Sequence, residues 1–474
     1  LSDTLPGSSI RRDIASAYVV TAARVGAWVV VSAIIYRQFG PVALGVITLV
    51  RATIGILSYT SLGLGPAMVR QLAQVSSEKA LVENVSAGEA VEASGVDPIA
   101  PPVLSYAAAP PPEVSREMIP VYATGNLLAL VSALVALTLA LVYSTNFARL
   151  HHVSFNPWMA NVLAASFGIG TVLRLVSEPA SALLQTRGKL ALDNLLLACA
   201  EALWAALTAA FLYAGRSIDL PMVGIVFALT SAGLLVARKY AARREIRGFL
   251  HGRAPVNWNI ARSLLAFGAM IVIAQVADFL YAPTDCILIN HLIGPEAVAW
   301  YSPAIQIDAG LLLLVSGLAA ALYPHSSIAH AAGDVQRVRR YYVRGTLASF
   351  ALLTTAGLAV WILSPWMFRL WFGEDLPLTR AILPLMLIHT IVGGSSAVGR
   401  AVLLAAGQAR PFTAAVLLAG ASNVILSYIF VRYLHLGLRG IVLGTIIVVI
   451  ARAGIWMPWY VLRTLRAKNP VETA

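Results

Sequence analysis

GVITLVRATIGIL, residues 45–57, decides what kind of chain this is. Apolar, helix-compatible residues surround one arginine, Arg51, and the apolar character continues across residues 42–68. A membrane helix needs roughly 20 mostly apolar residues, and this run supplies them. A charge near its middle costs at least ~2.5–3.5 kcal/mol on insertion scales. Arg51 therefore has to face water, an ion partner or a ligand inside a helix bundle.

Composition extends that reading to the whole chain. Hydrophobic residues make up 59% of 474 and charged residues 12%, with a mean hydropathy of +0.78. A soluble domain carries roughly 25% charged residues, so a polytopic membrane protein is indicated. The formal charge of +12 does not point to nucleic acid, because cytoplasmic loops of membrane proteins collect Lys and Arg. Cys199 and Cys286 provide neither a disulfide framework nor a metal spacing. The sequence offers no P-loop, dinucleotide fingerprint or nucleophile constellation, so no metal, no cofactor and no enzymatic activity are expected. Arg11 and Arg12 precede an apolar run too long for a signal h-region, so the N-terminus reads as a first crossing.

Twelve spans are predicted. The first half holds residues 14–36, 42–68, 118–143, 158–184, 190–213 and 220–237; the second holds 260–282, 298–323, 341–363, 381–404, 412–431 and 440–462. Basic residues in the connections fall 22 on the N-terminus side and 7 on the other, which puts both termini in the cytoplasm. Residues 1–240 read as an N-terminal lobe, 241–259 as a basic cytoplasmic linker and 260–474 as a C-terminal lobe. Residues 71–117, rich in Ala, Pro and Glu (APPVLSYAAAPPPE), lack a sustained apolar face and read as a disordered cytoplasmic loop.

The halves echo each other. FGPVALGV (39–46) is similar to IGPEAVAW (293–300), and LLQTRGK (183–189) to LLAAGQA (403–409), each at the same ordinal place in its half. Such order makes the repeat parallel, with a substrate site between the halves. The expected fold is an all-α polytopic membrane protein of about twelve transmembrane helices. They form two six-helix lobes related by a parallel pseudo-repeat around a central cavity.

Ten ionisable residues fall in or beside the spans: Arg24, Arg51, Arg174, Glu178, Glu201, Asp278, Asp285, Asp308, Arg400 and Arg452. Helical spacing sorts them. His389, Gly393, Ser396 and Arg400 form an i, i+4, i+7, i+11 stripe, Thr445 and Arg452 lie seven apart, and Gln275, Asp278, Ala282 and Asp285 form an acidic stripe. Arg174 and Glu178, four apart, read as a self-neutralising pair, and Asp285 as lying at the outer headgroup level. Arg24, Arg51, Arg400, Arg452 and His389 make a cationic surface for phosphate or an anionic sugar, which guanidinium groups bind in bidentate fashion. Asp278, Asp308 and Glu201 are left either as packing ion pairs or as sites for a coupling proton or cation.

The sequence also resembles a known family. YRQFGPVALGVITLVRATIGILSYTSLGLGPAMVRQLAQ (36–74) resembles the first-loop and second-helix signature of polysaccharide flippases, with its Gly-x-x-x-x-Gly turn and later Gly-Leu-Gly. DCILINHLIGPEAVAWYSPAIQID (285–308) resembles the matching second-half segment, followed by the proline of YPHSSIAHAAGD (323–334). With the two small-residue turns, residues 10–465 are similar to the Wzx-type oligosaccharide flippases of the MOP superfamily.

That resemblance implies a V of two six-helix lobes around a cationic cavity. It implies transfer of an undecaprenyl-diphosphate-linked sugar unit to the periplasmic leaflet of a bacterial inner membrane, for export of O-antigen, capsule or exopolysaccharide. The implied partners are that lipid-linked oligosaccharide, the bilayer and other polysaccharide-assembly proteins. Arg24 and Arg51 match helix positions where the related lipid II flippases carry cavity arginines, which implies a diphosphate site there. Twelve spans rather than fourteen depart from the lipid II branch, and the 71–117 loop is larger than the family pattern. Two rivals stand beside this reading. A multidrug antiporter of the same superfamily takes mostly cationic substrates and favours an acidic cavity; a polymerase or ligase of lipid-linked sugars carries a large outer loop with catalytic Arg or His.

Overall fold

The computed structural model describes residues 7–75, 118–151, 153, 156–213, 219–246, 256–331 and 333–466. Most of the expected disordered loop (76–117) and the middle of the expected linker (247–255) lie outside the described residues.

The first element, α1 (Gly7–Ile54), has 48 residues. At 1.5 Å per residue it would run about 72 Å, more than twice the ~30 Å hydrocarbon core. It folds back at Gly40, whose φ of 81° and ψ of −178° suit glycine and few L side chains. Pro41 follows it, so α1 consists of two crossing legs with Arg51 in the second. A 3₁₀ stretch (Gly55–Ser61) and the left-handed Leu62 and Gly63 then lead into α2 (64–75). The first half continues with α3 (Met118–Leu150), α4 (Pro157–Thr186), α5 (Leu190–Tyr213) and α6 (Pro221–Ile246).

In the second half, α7 (Trp258–Phe279) and α8 (Ala282–Leu292) form one interrupted crossing. Then come α9 (Pro295–Ala331), α10 (Val335–Phe372), α11 (Pro377–Ser395), α12 (Ala397–Ala405) and α13 (Ala409–Arg432). The chain finishes with α14 (Gly437–Val449), a π-helical turn (Ile450–Trp456) and α15 (Met457–Arg466). Ten helical runs are long and apolar enough to cross a membrane. One of them, Ala15–Val75, is 61 residues long and holds two crossings, and the broken α7–α8 adds another. The described residues therefore hold twelve.

The repeat is visible in the backbone. Gly40 and Gly294 open the second crossing of each half with φ values of 81° and 130°, each followed by proline. The fourth crossings end on matching caps: Gly188 N–H donates to Gln185 O at 3.1 Å and Lys189 N–H to Leu184 O at 2.8 Å. Gly407 N–H likewise donates to Leu404 O at 3.1 Å and Gln408 N–H to Leu403 O at 2.8 Å. Both glycines are left-handed, which closes a helix C-terminus without a Cβ penalty.

The lobes close on each other at the face where α1 turns, called the distal face below. Val31, Ile35 and Leu44 of α1 share an apolar cluster with Ile289, Val298 and Phe368 of the second half. Polar bonds clasp the same face. Trp371 Nε1–H donates to Val29 O at 2.8 Å, Arg37 Nη2–H to Leu370 O at 2.6 Å, and the Tyr36 hydroxyl to Glu374 Oε1.

Candidate functional site

Three guanidinium groups gather around one carboxylate inside the first lobe. The first leg of α1 supplies Arg24 and Trp28, the second leg Arg51, α4 Arg174, α5 Glu201 and Trp204, and α6 Phe227 and Ser231. Glu201 is buried. Arg174 Nη1–H donates to Glu201 Oε1 at 2.6 Å and its Nε–H to Ser231 Oγ at 3.0 Å, while the guanidinium lies 4.4 Å from the Phe227 ring centre. Arg24 Nε is 3.9 Å from the same carboxylate oxygen, and its side chain is 59% exposed.

Among the described residues Arg51 has no carboxylate within 4 Å. Its guanidinium sits 3.8 Å over Trp28, which stacks on Trp204 at 6.1 Å and 12°. Arg51 is itself exposed. One carboxylate against three arginines leaves this cluster cationic.

The pairing expected between Arg174 and Glu178 does not form. Glu178 lies instead against Ser61 and Gly65, where the chain passes from α1 to α2. Four-residue spacing puts the two on one face of α4, but the guanidinium finds its carboxylate across the bundle on α5.

The second lobe contains a cavity of about 510 Å³. Three helix interruptions border it: the break before α8 at Tyr281, the break between α11 and α12 at Ser396, and the π-helical turn carrying Arg452. Irregular backbone at membrane depth persists where protein buries it or where it lines a cavity, and π turns recur at functional sites. The predicted stripe of His389, Gly393, Ser396 and Arg400 faces this cavity, as do Thr445 and Arg452.

The acids here are held by neutral donors. Asp285 is fully buried and accepts from the Tyr301 hydroxyl at 3.0 Å, Asn423 Nδ2–H at 3.0 Å and the Thr445 hydroxyl at 3.2 Å. The break at residues 280–281 divides the acidic stripe expected on one helix; Asp278 falls on α7, its side chain outside those described. Asp308 accepts from the Thr390 hydroxyl at 2.6 Å, and His389 Nδ1 stands 3.6 Å away, beyond a normal hydrogen bond. Neither Arg400 nor Arg452 has a carboxylate within 4 Å among the described residues. The Nε of Arg452 is buried without a hydrogen-bond partner, and its guanidinium is 5.7 Å from the Tyr281 ring centre.

The expected anion-binding residues thus stand in two groups, Arg24 and Arg51 in the first lobe and His389, Arg400 and Arg452 in the second. Glu201 joins the first and Asp308 the second. Sequence reasoning passed over Arg174 as a site residue, the Trp28–Trp204 stack and the Asp285 network. Trp28 follows Arg24 at i+4, which was a usable signal; the others depend on contacts between helices.

Comparison with known proteins fits this architecture. Residues 271–429 match the MatE family model. The uncharacterized membrane protein EpsK of Bacillus subtilis (strain 168) is 26% identical over 238 residues, covering 49% of this chain and 46% of that protein. A probable multidrug resistance protein NorM of Pseudomonas syringae pv. tomato is 26% identical over 213 residues, covering 42% and 44%. A putative O-antigen transporter of Shigella flexneri is 20% identical over 203 residues, covering 43% and 47%. The chain spans about half the length of these relatives in the matched regions.

Among solved structures, the inward-facing conformation of a multidrug resistance MATE family transporter of the MOP superfamily has a TM-score of 0.70 at 15% identity, covering 93% of this chain and 96% of that one. The lipid II flippase MurJ in an inward closed conformation has a TM-score of 0.68 at 12% identity, covering 96% and 90%. The chain is an all-helical multi-pass membrane protein whose fold is that of these solved transporters. The match to the MatE family model lies in the second half of the chain.

Proposed function

We propose that this protein is a flippase that moves an undecaprenyl-diphosphate-linked oligosaccharide across a bacterial plasma membrane by alternating access, with both termini in the cytoplasm. The observation carrying the reading is the cluster of three arginines around one glutamate, Arg24, Arg51 and Arg174 with Glu201, in the first lobe. Guanidinium groups are matched to phosphate oxygens, so Arg24 and Arg51 are assigned the diphosphate, with Arg174 adding positive field behind them. A sugar cannot cross hydrocarbon, where each unsatisfied polar group costs several kcal/mol. A polar interior removes that barrier while the lipid tail stays outside between the lobes.

Release needs an affinity that differs between the two access states. Glu201 in the first lobe and Asp308 and Asp278 in the second are the candidate groups for a coupling proton or cation that changes that affinity. In this reading the residues bind and release and form no covalent intermediate, so the protein is not an enzyme. Its partners are the lipid-linked oligosaccharide, the bilayer and other polysaccharide-assembly proteins.

A multidrug antiporter is the second reading, favoured by the MatE match and the NorM-like relative. One assay separates the two. Purified protein in liposomes is given a fluorescent undecaprenyl-diphosphate oligosaccharide, and leaflet exposure is followed by quenching. Wild type is expected to equilibrate the lipid, and Arg24→Ala and Arg51→Ala to slow it by about tenfold or more, the loss of one charge-assisted bond each. If wild type leaves the lipid in place but moves a cationic dye, the antiporter reading replaces this one.

A further inference from the structure

We propose that the second-lobe cavity is a separate subsite for an acidic sugar, so that the transported unit carries a carboxylate as well as its diphosphate. The route by which such a unit arrives rests on the flippase reading. The ligand class rests on the cavity itself.

Its volume of about 510 Å³ lies in the range of roughly 300–1,000 Å³ typical of small-ligand sites. The charges inside are kept apart. Asp285 has its acceptors filled by three neutral donors and sits in the wall. Asp308 is held by Thr390. Arg400 and Arg452 both face the cavity and have no ion partner among the described residues. A guanidinium carries five N–H donors and no acceptor, and Arg452 already has one donor buried without a partner. The wall therefore lacks acceptors beside its arginines, and a carboxylate supplies two.

The rest of the lining discriminates among anions. Asp308 and His389 stand in the same cavity and suit hydroxyl groups, whereas a compact phosphate would bring only further negative charge toward Asp308. Tyr281 and Phe412 add aromatic rings to the lining, a surface type on which the C–H face of a pyranose packs. A drug-like cation would meet two unneutralised guanidinium groups. The π-helical turn is what presents Arg452 here, since its altered winding falls at that residue. A uronic acid satisfies carboxylate, hydroxyl and apolar demands together.

The test uses the full chain in nanodiscs, titrated with a glucuronate-containing disaccharide and with the methyl ester of that disaccharide, which keeps the shape and loses the charge. The acid is expected to bind at least about tenfold tighter than the ester, equivalent to ~1.4 kcal/mol. Arg400→Gln and Arg452→Gln should each bring the acid down to the level of the ester, and Arg452→Lys should restore part of the difference. Equal binding of acid and ester to wild type overturns the proposal, a result that needs no variant to fold. An acid preference that survives both glutamine substitutions overturns it as well. Leaflet exposure of lipid-linked substrate is read separately. An acid preference without lipid movement supports the subsite while sinking the flippase reading, and lipid movement without an acid preference does the reverse.

Discussion

Arg174 in the first lobe and Arg452 in the second are both arginines inside a membrane bundle, and the protein treats them differently. Arg174 is locked to a buried carboxylate, a serine hydroxyl and a phenylalanine face. Arg452 has a tyrosine ring at a distance and a donor left without an acceptor. In the first-lobe cluster a carboxylate holds cations in place; around the second-lobe cavity hydroxyl and amide donors hold Asp285 and Asp308, and Arg400 and Arg452 have no ion partner among the described residues. A buried charge with a partner contributes to folding, whereas one without a partner is stability given up for binding.

The contrast predicts a ranking. Glu201→Gln should be the most damaging change, because breaking a buried ion pair costs about 3–5 kcal/mol; thermal unfolding in detergent would register it as the lowest midpoint of the series. Asp285→Ala comes next, at about 2–3 kcal/mol, since Tyr301, Asn423 and Thr445 lose a shared buried acceptor. Trp28→Leu removes the ring under Arg51 and should cost about 1–2 kcal/mol in the same assay, while weakening the hold on Arg51. The smallest effect is expected from Arg452→Gln, within about 1 kcal/mol of wild type, because no ion pair is broken. Should Arg452→Gln destabilise as much as Glu201→Gln, the two lobes do not differ in the way described, and Arg452 has a structural partner.

Much of this architecture could be read from the chain because it depends on local signals. Gly40–Pro41 and Gly294–Pro295 mark turns by their own chemistry, and the caps at Gly188 and Gly407 need only a few neighbouring residues. The stripe from His389 to Arg400 reached one cavity because helical spacing is itself local. Partner choice was a different matter. Arg174 passes over Glu178, one turn away, for Glu201 on another helix, and nothing in a single sequence records which helices touch. The interruption before α8 had a sign in Pro283, which belongs at a helix start. Reading 260–282 as one continuous helix hid it. The π turn at Arg452 also had signs, Gly454 within it and Pro458 just after it, both poor helix formers.

Gly45 has a mechanical consequence. A Cβ at this position would lie 1.8 Å from the carbonyl oxygen of Pro295, so the second leg of α1 and the start of α9 meet there backbone to backbone. The Thr48 hydroxyl, donating to Ser302 Oγ at 3.0 Å, marks the same seam. Two stiff arms that touch near one end behave as a pair of tongs: a small displacement at the pivot becomes a wide change of aperture at the tips. The absence of a side chain at residue 45 lets the two backbones meet, and a methyl group placed there would act as a wedge between them.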